Sequence, residues 1–382
     1  MESTGAEVWT GKNRLEHMSL PLPQPGPGAL LLQVTANGIC GTDMHFLSRE
    51  PAAPLVLGHE IVGRIIGFGP GHERHDADGI PLTEGDRIAL FPWLPCGQCW
   101  GCQRFGPGAT TCTDAFVYGI PPEAIGLDPL APAGLGTGPT LTGGFGRHVD
   151  VRQGTYLWRV PDAVPDTVAS LLDPLAVAVR TVDVTRTPTG TWDEVLTPDS
   201  TAVVLGLGAV GLLSAIVLRQ TGVGTVVASG ARPARLAAAR AVGVDVVLDI
   251  HRQDAAARRA AVLDITRGRG ADLVIDATNS SAALAEAMRL VRRLGTVVEV
   301  GNIVPDGTHV RVDPARDVCQ RNLRLLGVSF NPPRSYSQGM ALLARHDLPF
   351  ERLITRSRRF ADADAALRDL AGDVVKIVLT ES

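Results

Sequence analysis

The hydrophobic pattern divides the chain into two textures. Up to about residue 170, apolar residues come in short runs at 29–35, 61–67, 87–91 and 144–151, set among glycines and prolines. Runs of this length, bounded by turn residues, predict strands of a mostly antiparallel domain with long loops. Near residue 169 the pattern changes. Residues 174–184 predict a helix, and 202–206 an apolar strand that runs into glycine. Strand and helix patterns then alternate: strand 225–229, helix 234–242, strand 246–249, a helix to 267, strand 273–276, a helix to 293, and strand 296–300. That alternation marks βαβ units and a parallel, doubly wound sheet. After about residue 325 the texture is irregular again, up to an apolar strand at 374–379. The expected organisation is a discontinuous outer domain, 1–175 and 325–382, with an α/β domain inserted at 176–324. Residues 121–144, rich in glycine, proline and leucine, predict a long surface loop near the substrate mouth.

Composition narrows the function classes. A chain of 382 residues is long enough for two domains with a core each. The formal net charge of −4 lacks the basic excess of a general nucleic-acid binder. The first residues show neither a basic nor an apolar signal region. No apolar run reaches the roughly 18 to 20 residues that span a bilayer. The expectation is a cytoplasmic protein without nucleic-acid or membrane partners, in which clustered cysteines hold metal rather than disulfides.

Two constellations carry metal chemistry. Cys96, Cys99, Cys102 and Cys112 fall in the run PCGQCWGCQRFGPGATTC. Two residues between successive cysteines let their thiolates converge on one tetrahedral ion, and Cys112 closes the set. A closed four-sulfur site leaves no position for substrate, so this zinc is expected to be structural, in a lobe at about 93–115. A nucleic-acid zinc ribbon is the competing reading, and the acidic balance speaks against it. The second constellation is Cys40 in GICGTDMHF with His59 and Glu60 in GHEIVG. Asp43 and Glu60 are polar side chains able to support ligands inside otherwise apolar stretches, and Asp173 in LLDPLAV adds a carboxylate from the domain junction. A catalytic zinc takes three protein ligands and keeps one position open.

The cofactor signal is Gly206-Leu207-Gly208-Ala209-Val210-Gly211, a G-x-G-x-x-G between an apolar strand and a helix. Gly206, Gly208 and Gly211 allow the tight turn and close backbone approach, Val210 opens the helix with them, and the helix N-terminus faces a pyrophosphate. This is the Rossmann fingerprint in its required context. The next strand ends in Gly230-Ala231-Arg232-Pro233, with Arg235 beyond. An NAD site expects an acid there to accept from the ribose hydroxyls. Glycine leaves room for a 2′-phosphate, and a guanidinium pairs with it. NADP(H) is therefore the expected cofactor, with NAD(H) the second choice.

GICGTDMHF, GHEIVG, GDRIAL, the four-cysteine run, GGFGRHV and VLGLGAVGLL stand in the order and spacing of zinc-dependent medium-chain alcohol and polyol dehydrogenases, and the chain resembles that family over essentially its whole length. The gap before Cys112 is a little longer than usual, which reshapes the lobe without spoiling the metal site. The resemblance implies a GroES-like catalytic domain around the Rossmann domain, and two zinc ions per chain. It implies Cys40 and His59 as catalytic-zinc ligands, Asp173 at the place of a third, and Glu60 as an acid that binds the zinc directly in some states. Thr42 matches the hydroxyl that passes on the substrate proton, His45 an imidazole ending that relay, and Asp43 a carboxylate orienting His59. Gly-x-Arg-Pro resembles the NADP-binding turn of bacterial secondary-alcohol members.

The expected activity is hydride transfer between NADP(H) and a small-molecule alcohol, polyol or carbonyl, by a homodimer or homotetramer. Two other readings compete: reduction of a conjugated imine or enone on the same fold, and a non-catalytic nucleotide-sensing scaffold. Trp93, Phe116, Tyr118 and Phe330 are pocket candidates that fit core positions better.

Overall fold

The computed structural model describes residues 2–106, 112–121, 140–186, 196–303 and 307–381. Most of the expected loop at 121–144 lies outside them. An N-terminal hairpin that the apolar pattern did not reveal opens the chain: β1 (Ser3–Gly11) pairs antiparallel with β2 (Arg14–Pro21). Then follow β3 (Leu30–Ile39), α1 (Gly41–Leu47), β4 (Leu55–Val56), β5 (Glu60–Phe68) and β6 (Arg87–Leu90). A small lobe carries β7 (Trp93–Leu94), α2 (Trp100–Phe105) and β8 (Phe116–Val117). The chain returns through β9 (His148–Val151) and β10 (Leu157–Arg159). The expected strand at 144–151 is shorter than read, because the glycines before His148 form a turn and a single bridge from Gly146 to Ala6.

After α3 (Asp166–Ala169) comes α4 (Leu172–Asp183), so the expected boundary at 175–176 falls inside a helix. The alternating part is β11 (Thr201–Leu205), α5 (Ala209–Gln220), β12 (Thr225–Gly230), α6 (Pro233–Ala241), β13 (Val246–Asp249), α7 (Ala255–Ile265), β14 (Ala271–Asp276), α8 (Ser281–Leu290), β15 (Val291–Glu299) and β16 (Arg324–Gly327). The helix expected to reach 293 ends at Leu290, where Val291 turns to extended backbone and pairs with Ala271. The stretch after 325 is more regular than its pattern suggests: α9 (Pro333–Leu343), β17 (Ile354–Arg359), α10 (Ala363–Leu370) and β18 (Lys376–Thr380).

The six parallel strands run β13-β12-β11-β14-β15-β16, a doubly wound order that reverses between β11 and β14. Its sixth strand straddles the expected boundary at 324–325. Both faces are covered, as the side chains show: Ala202 and Val204 enter one core with α4, α5 and α9, whereas Val203 and Leu205 enter another with α7 and α8. The order β10-β6-β5-β3-β18-β17 forms the second large sheet, antiparallel except for β17 with β18, and β9 pairs with β3. Leu32, Ile65, Ile88 and Ile377 of this sheet pack in a core of their own, while Ala36, Val62, Ala89 and Val378 join the core of α4, α5 and α9. A parallel, doubly wound sheet thus interrupts a mostly antiparallel one, and ligands are expected in the crevice at the carboxyl ends of β11 and β14. Among the described residues no helix is long and apolar enough to cross a membrane.

Candidate active site

The crevice is there: a cleft of about 820 Å³ runs from Cys40, Thr42, His45 and Glu60 past Pro174 to Gly206–Val210, and on to Gly230, Arg232 and Arg235. Each part is built by a different piece of local structure.

At the outer-domain end, β3 stops at Ile39 and Cys40 caps α1. The helix begins there because Asp43, fully buried, accepts the Cys40 N–H on Oδ2 at 2.9 Å. The other oxygen of Asp43 lies 3.5 Å from Nδ1 of His59, so one carboxylate orients two of the expected ligands. His59 and Glu60 sit where the turn at Gly58 enters β5. The ligand atoms of Cys40, His59 and Glu60 all lie within 4.8 Å of one another. The Thr42 hydroxyl is 3.2 Å from the Cys40 sulfur. Burial works against a charge on His59, but Asp43 and Cys40 outweigh it and raise its pKa well above the ordinary value. A site that favours positive charge among a thiol, an imidazole and a carboxylate fits a divalent cation.

Glu60 has a partner that sequence reading missed. Lys376, at the start of β18 and 2% exposed, forms an ion pair with Glu60 and donates to its Oε1 at 2.5 Å. Burial raises the Glu60 carboxyl above its usual range in spite of that ammonium. Gly38 stands opposite Glu60 in the β3–β5 register, and a Cβ there would come within 1.9 Å of Glu60 Oε2. The signal was present: Lys12 and Lys376 are the only lysines of the chain, and Lys376 lies in an apolar run.

Asp173 stands outside the triad. Because α4 begins at Leu172, Asp173 lies in its first turn and not at the cap. Its Oδ1 accepts a hydrogen bond from the hydroxyl of Tyr336 on α9. Burial raises the Asp173 carboxyl, while His59 nearby lowers it. His45 points to the dinucleotide domain, where Nδ2 of Asn279 lies 3.1 Å from its Nε2.

The four-cysteine cluster forms the lobe. The sulfurs of Cys96, Cys99, Cys102 and Cys112 all lie within 4.8 Å of one another, and all four are free thiols. The Cys96 and Cys112 sulfurs are 3.7 Å apart, far beyond a disulfide bond. Backbone N–H groups aim at the cluster: Cys99 N–H to Cys96 at 3.3 Å, and Cys96 N–H to Cys112 at 3.4 Å. Backbone hydrogen bonds at Cys102 and Thr113 lower Cys99 to about 6, whereas burial raises Cys102 to about 12.

At the other end, the G-x-G-x-x-G turn behaves as its residues dictate. Gly206 has φ of +90°, and a Cβ on Gly211 would stand 1.9 Å from the Gly206 carbonyl oxygen. Gly208 caps α5, and a Cβ there would meet open space on the cleft side apart from Arg235 at 4.0 Å. The nearby arginines are less free than the sequence suggested. Arg232 Nη1 donates to the carbonyls of Leu370 and Gly372 at 3.1 and 2.7 Å, and Arg235 Nε to Val374 at 2.7 Å. Burial, and then Arg232, lower Arg235 to about 10. Both still line the cleft. Trp93, Phe116, Tyr118 and Phe330 do not line it: Phe116 and Tyr118 are buried core, and Trp93 packs on Phe330 with ring centroids 4.0 Å apart.

The chain and its fold have counterparts among known proteins. The alcohol dehydrogenase GroES-like domain matches residues 26–162, and the zinc-binding dehydrogenase domain matches 209–345. A protein named probable alcohol dehydrogenase in Mycobacterium tuberculosis is 30% identical, over 96% of this chain and 94% of its own. The chain belongs to the zinc-type medium-chain alcohol dehydrogenase family. It is therefore an oxidoreductase. The 5-exo-hydroxycamphor dehydrogenase of Pseudomonas putida is 29% identical over 99% of both chains. Among solved structures, an alcohol dehydrogenase of Thermotoga maritima superposes with a TM-score of 0.87 at 26% identity, covering both chains fully. A zinc-binding dehydrogenase of Sinorhizobium meliloti bound to NADP reaches 0.81 at 26% identity, also over both full chains.

Proposed function

We propose that this dehydrogenase transfers hydride between NADP(H) and an alcohol or its carbonyl, with a catalytic zinc at Cys40 and His59 and a structural zinc in the four-cysteine lobe. The observation that carries this reading is the single cleft that joins the Cys40–His59–Glu60 triad to the G-x-G-x-x-G turn. Zinc held there supplies Lewis acidity that lowers the pKa of a substrate hydroxyl or polarises a carbonyl. Glu60 completes the triad or pairs with Lys376, and Asp173, at the start of α4, offers a further carboxylate. The Thr42 hydroxyl takes the substrate proton and passes it outward. His45, at the mouth, hands it to solvent. The N-terminus of α5 would face the pyrophosphate of a bound dinucleotide, and Gly206 and Gly211 would let the backbone approach it.

Gly230 and Arg232 support NADP over NAD, because an acid at 230 would repel a 2′-phosphate and a guanidinium at 232 attracts it. Arg232 keeps Nη1 on the C-terminal carbonyls and offers its remaining N–H groups to the phosphate. Absorbance at the nicotinamide band, followed with secondary alcohols and polyols, tests this. NADP⁺ should be preferred, and Arg232→Ala should erase the preference while leaving NAD⁺ turnover within about threefold. A wild type that prefers NAD⁺, or an unchanged preference in Arg232→Ala, contradicts the reading of this turn. Gly230→Asp is the poorer probe, since its Cβ would press within 2.7 Å of the Leu207 side chain.

A further inference from the structure

Two acids below the cleft have no part in the chemistry above. Asp276 ends β14 and Glu299 ends β15, and the two are directly opposite in the parallel register. Asp276 Oδ1 accepts from the N–H and hydroxyl of Thr278 at 2.9 and 2.7 Å. Glu299 Oε1 accepts from the N–H groups of Gly301 and Asn302, both at 2.9 Å. One oxygen of each acid thus organises a loop. The other two, Asp276 Oδ2 and Glu299 Oε2, are buried without a hydrogen-bond partner, although the side chains interact directly.

The loops they hold reach the cleft. Thr278 and Gly301 line the cleft beside Gly206. They also pack on each other, since a Cβ at Gly301 would fall 1.7 Å from the Thr278 carbonyl oxygen. The next residue after Thr278 is Asn279, which touches His45.

We infer that Asp276 and Glu299 share one proton, and that this acid–carboxylate pair positions the Thr278–Asn279 and Gly301–Asn302 loops for the dinucleotide and for His45. A proton between Oδ2 and Oε2 gives each buried oxygen a partner, which a buried polar atom requires. Without it, two anions meet in a low-dielectric site and push their loops apart. Burial, and then the charge of Glu299, lift Asp276 to about 7. The neighbouring strands add no charge at this level: Leu205 of β11 stands beside Asp276, and Gly327 of β16 beside Glu299. Around the same cleft stand His45 on Asn279, the Glu60–Lys376 and Arg258–Glu286 pairs, and Arg232 with Arg235.

The direction of the pH effect follows. Between about pH 4 and 7 the folded chain keeps a proton that an ordinary unfolded aspartate has released, so this pair's contribution to stability falls as pH rises and is gone above about 7. Dinucleotide affinity should be flat below about pH 7 and weaken above it, by at most about tenfold per pH unit for one linked proton.

The inference rests on the cleft taking a nicotinamide dinucleotide, so the test has two arms. NADPH binding is measured by fluorescence titration from about pH 6 to 9, and melting temperature without cofactor from about pH 4 to 8, the window in which the pair's contribution falls. Asp276→Asn keeps the acceptor for Thr278 and places a neutral donor towards Glu299. It should remove the alkaline loss of affinity and flatten the fall of melting temperature with pH, and Glu299→Gln should do the same. Equal pH slopes in wild type and both variants overturn the shared proton. If neither NADPH nor NADH binds the wild type, the reading of the cleft fails instead, and the melting slopes still decide the pair.

Discussion

The two metal-type clusters differ in how the chain assembles them. In the lobe, four sulfurs come from one short stretch of sequence around α2, and backbone N–H groups of the same stretch aim at them. In the cleft, Cys40 comes from the end of β3, His59 and Glu60 from the start of β5, Lys376 from β18 and Asp173 from α4. The lobe is closed and made of one ligand type. The cleft cluster is mixed, buried beneath a cavity and backed by charges from distant segments. A site built by one short stretch depends on local sequence and is expected to matter for stability. A site built by several segments depends on the whole fold and is expected to matter for chemistry.

The sharpest way to break that comparison is to remove one sulfur from each. Cys40→Ala should lower turnover by about 10³-fold, the several kcal/mol a Lewis acid supplies, with melting temperature and NADPH affinity little changed. Cys99→Ser should instead lower yield of soluble protein and melting temperature. A Cys40→Ala enzyme that fails to fold, or a Cys99→Ser enzyme that folds normally, reverses the assignment. Next in size is Thr42→Ala, which should cost about 10² in kcat with cofactor affinity intact, within the usual range for a proton-transfer group. His45→Ala should cost less than about tenfold, because water can replace the end of a relay. Near-normal kcat in Thr42→Ala would remove the relay from the mechanism. The subtlest case is Asp173→Asn, which keeps an acceptor for the Tyr336 hydroxyl. If Asp173 ligates zinc, affinity of the cleft site for zinc should fall at least about tenfold in a chelator competition while the lobe site is unaffected. Unchanged affinity would assign Asp173 to the Tyr336 hydrogen bond alone and leave Glu60 as the third ligand.

What could be read from the sequence divides along the same line. The four cysteines and the G-x-G-x-x-G turn were legible because spacing alone fixes their geometry, and the parallel sheet because its buried strands read as apolar runs. The ends were less legible: the helix before Gly295 stops at Leu290, since pairing with β14 claims Val291. The hairpin of β1 and β2 escaped notice because all but one residue of β2 are exposed or half-buried and it shows little apolar contrast. Contacts made across hundreds of residues left no local mark. Lys376 on Glu60 and Tyr336 on Asp173 join the two separated pieces of the outer domain, whereas Asn279 on His45 and the hold of Arg232 on Leu370 and Gly372 depend on the outer domain closing over the inserted one.

The central claim is that one chain carries two zinc sites of opposite kind, and counting zinc tests it most directly. Protein purified without chelator should contain two zinc ions per chain, Cys40→Ala should retain one, and a Cys96/Cys99 double variant, refolded where necessary, should retain only the other. A wild type with a single zinc that persists in the Cys96/Cys99 double variant would contradict the account.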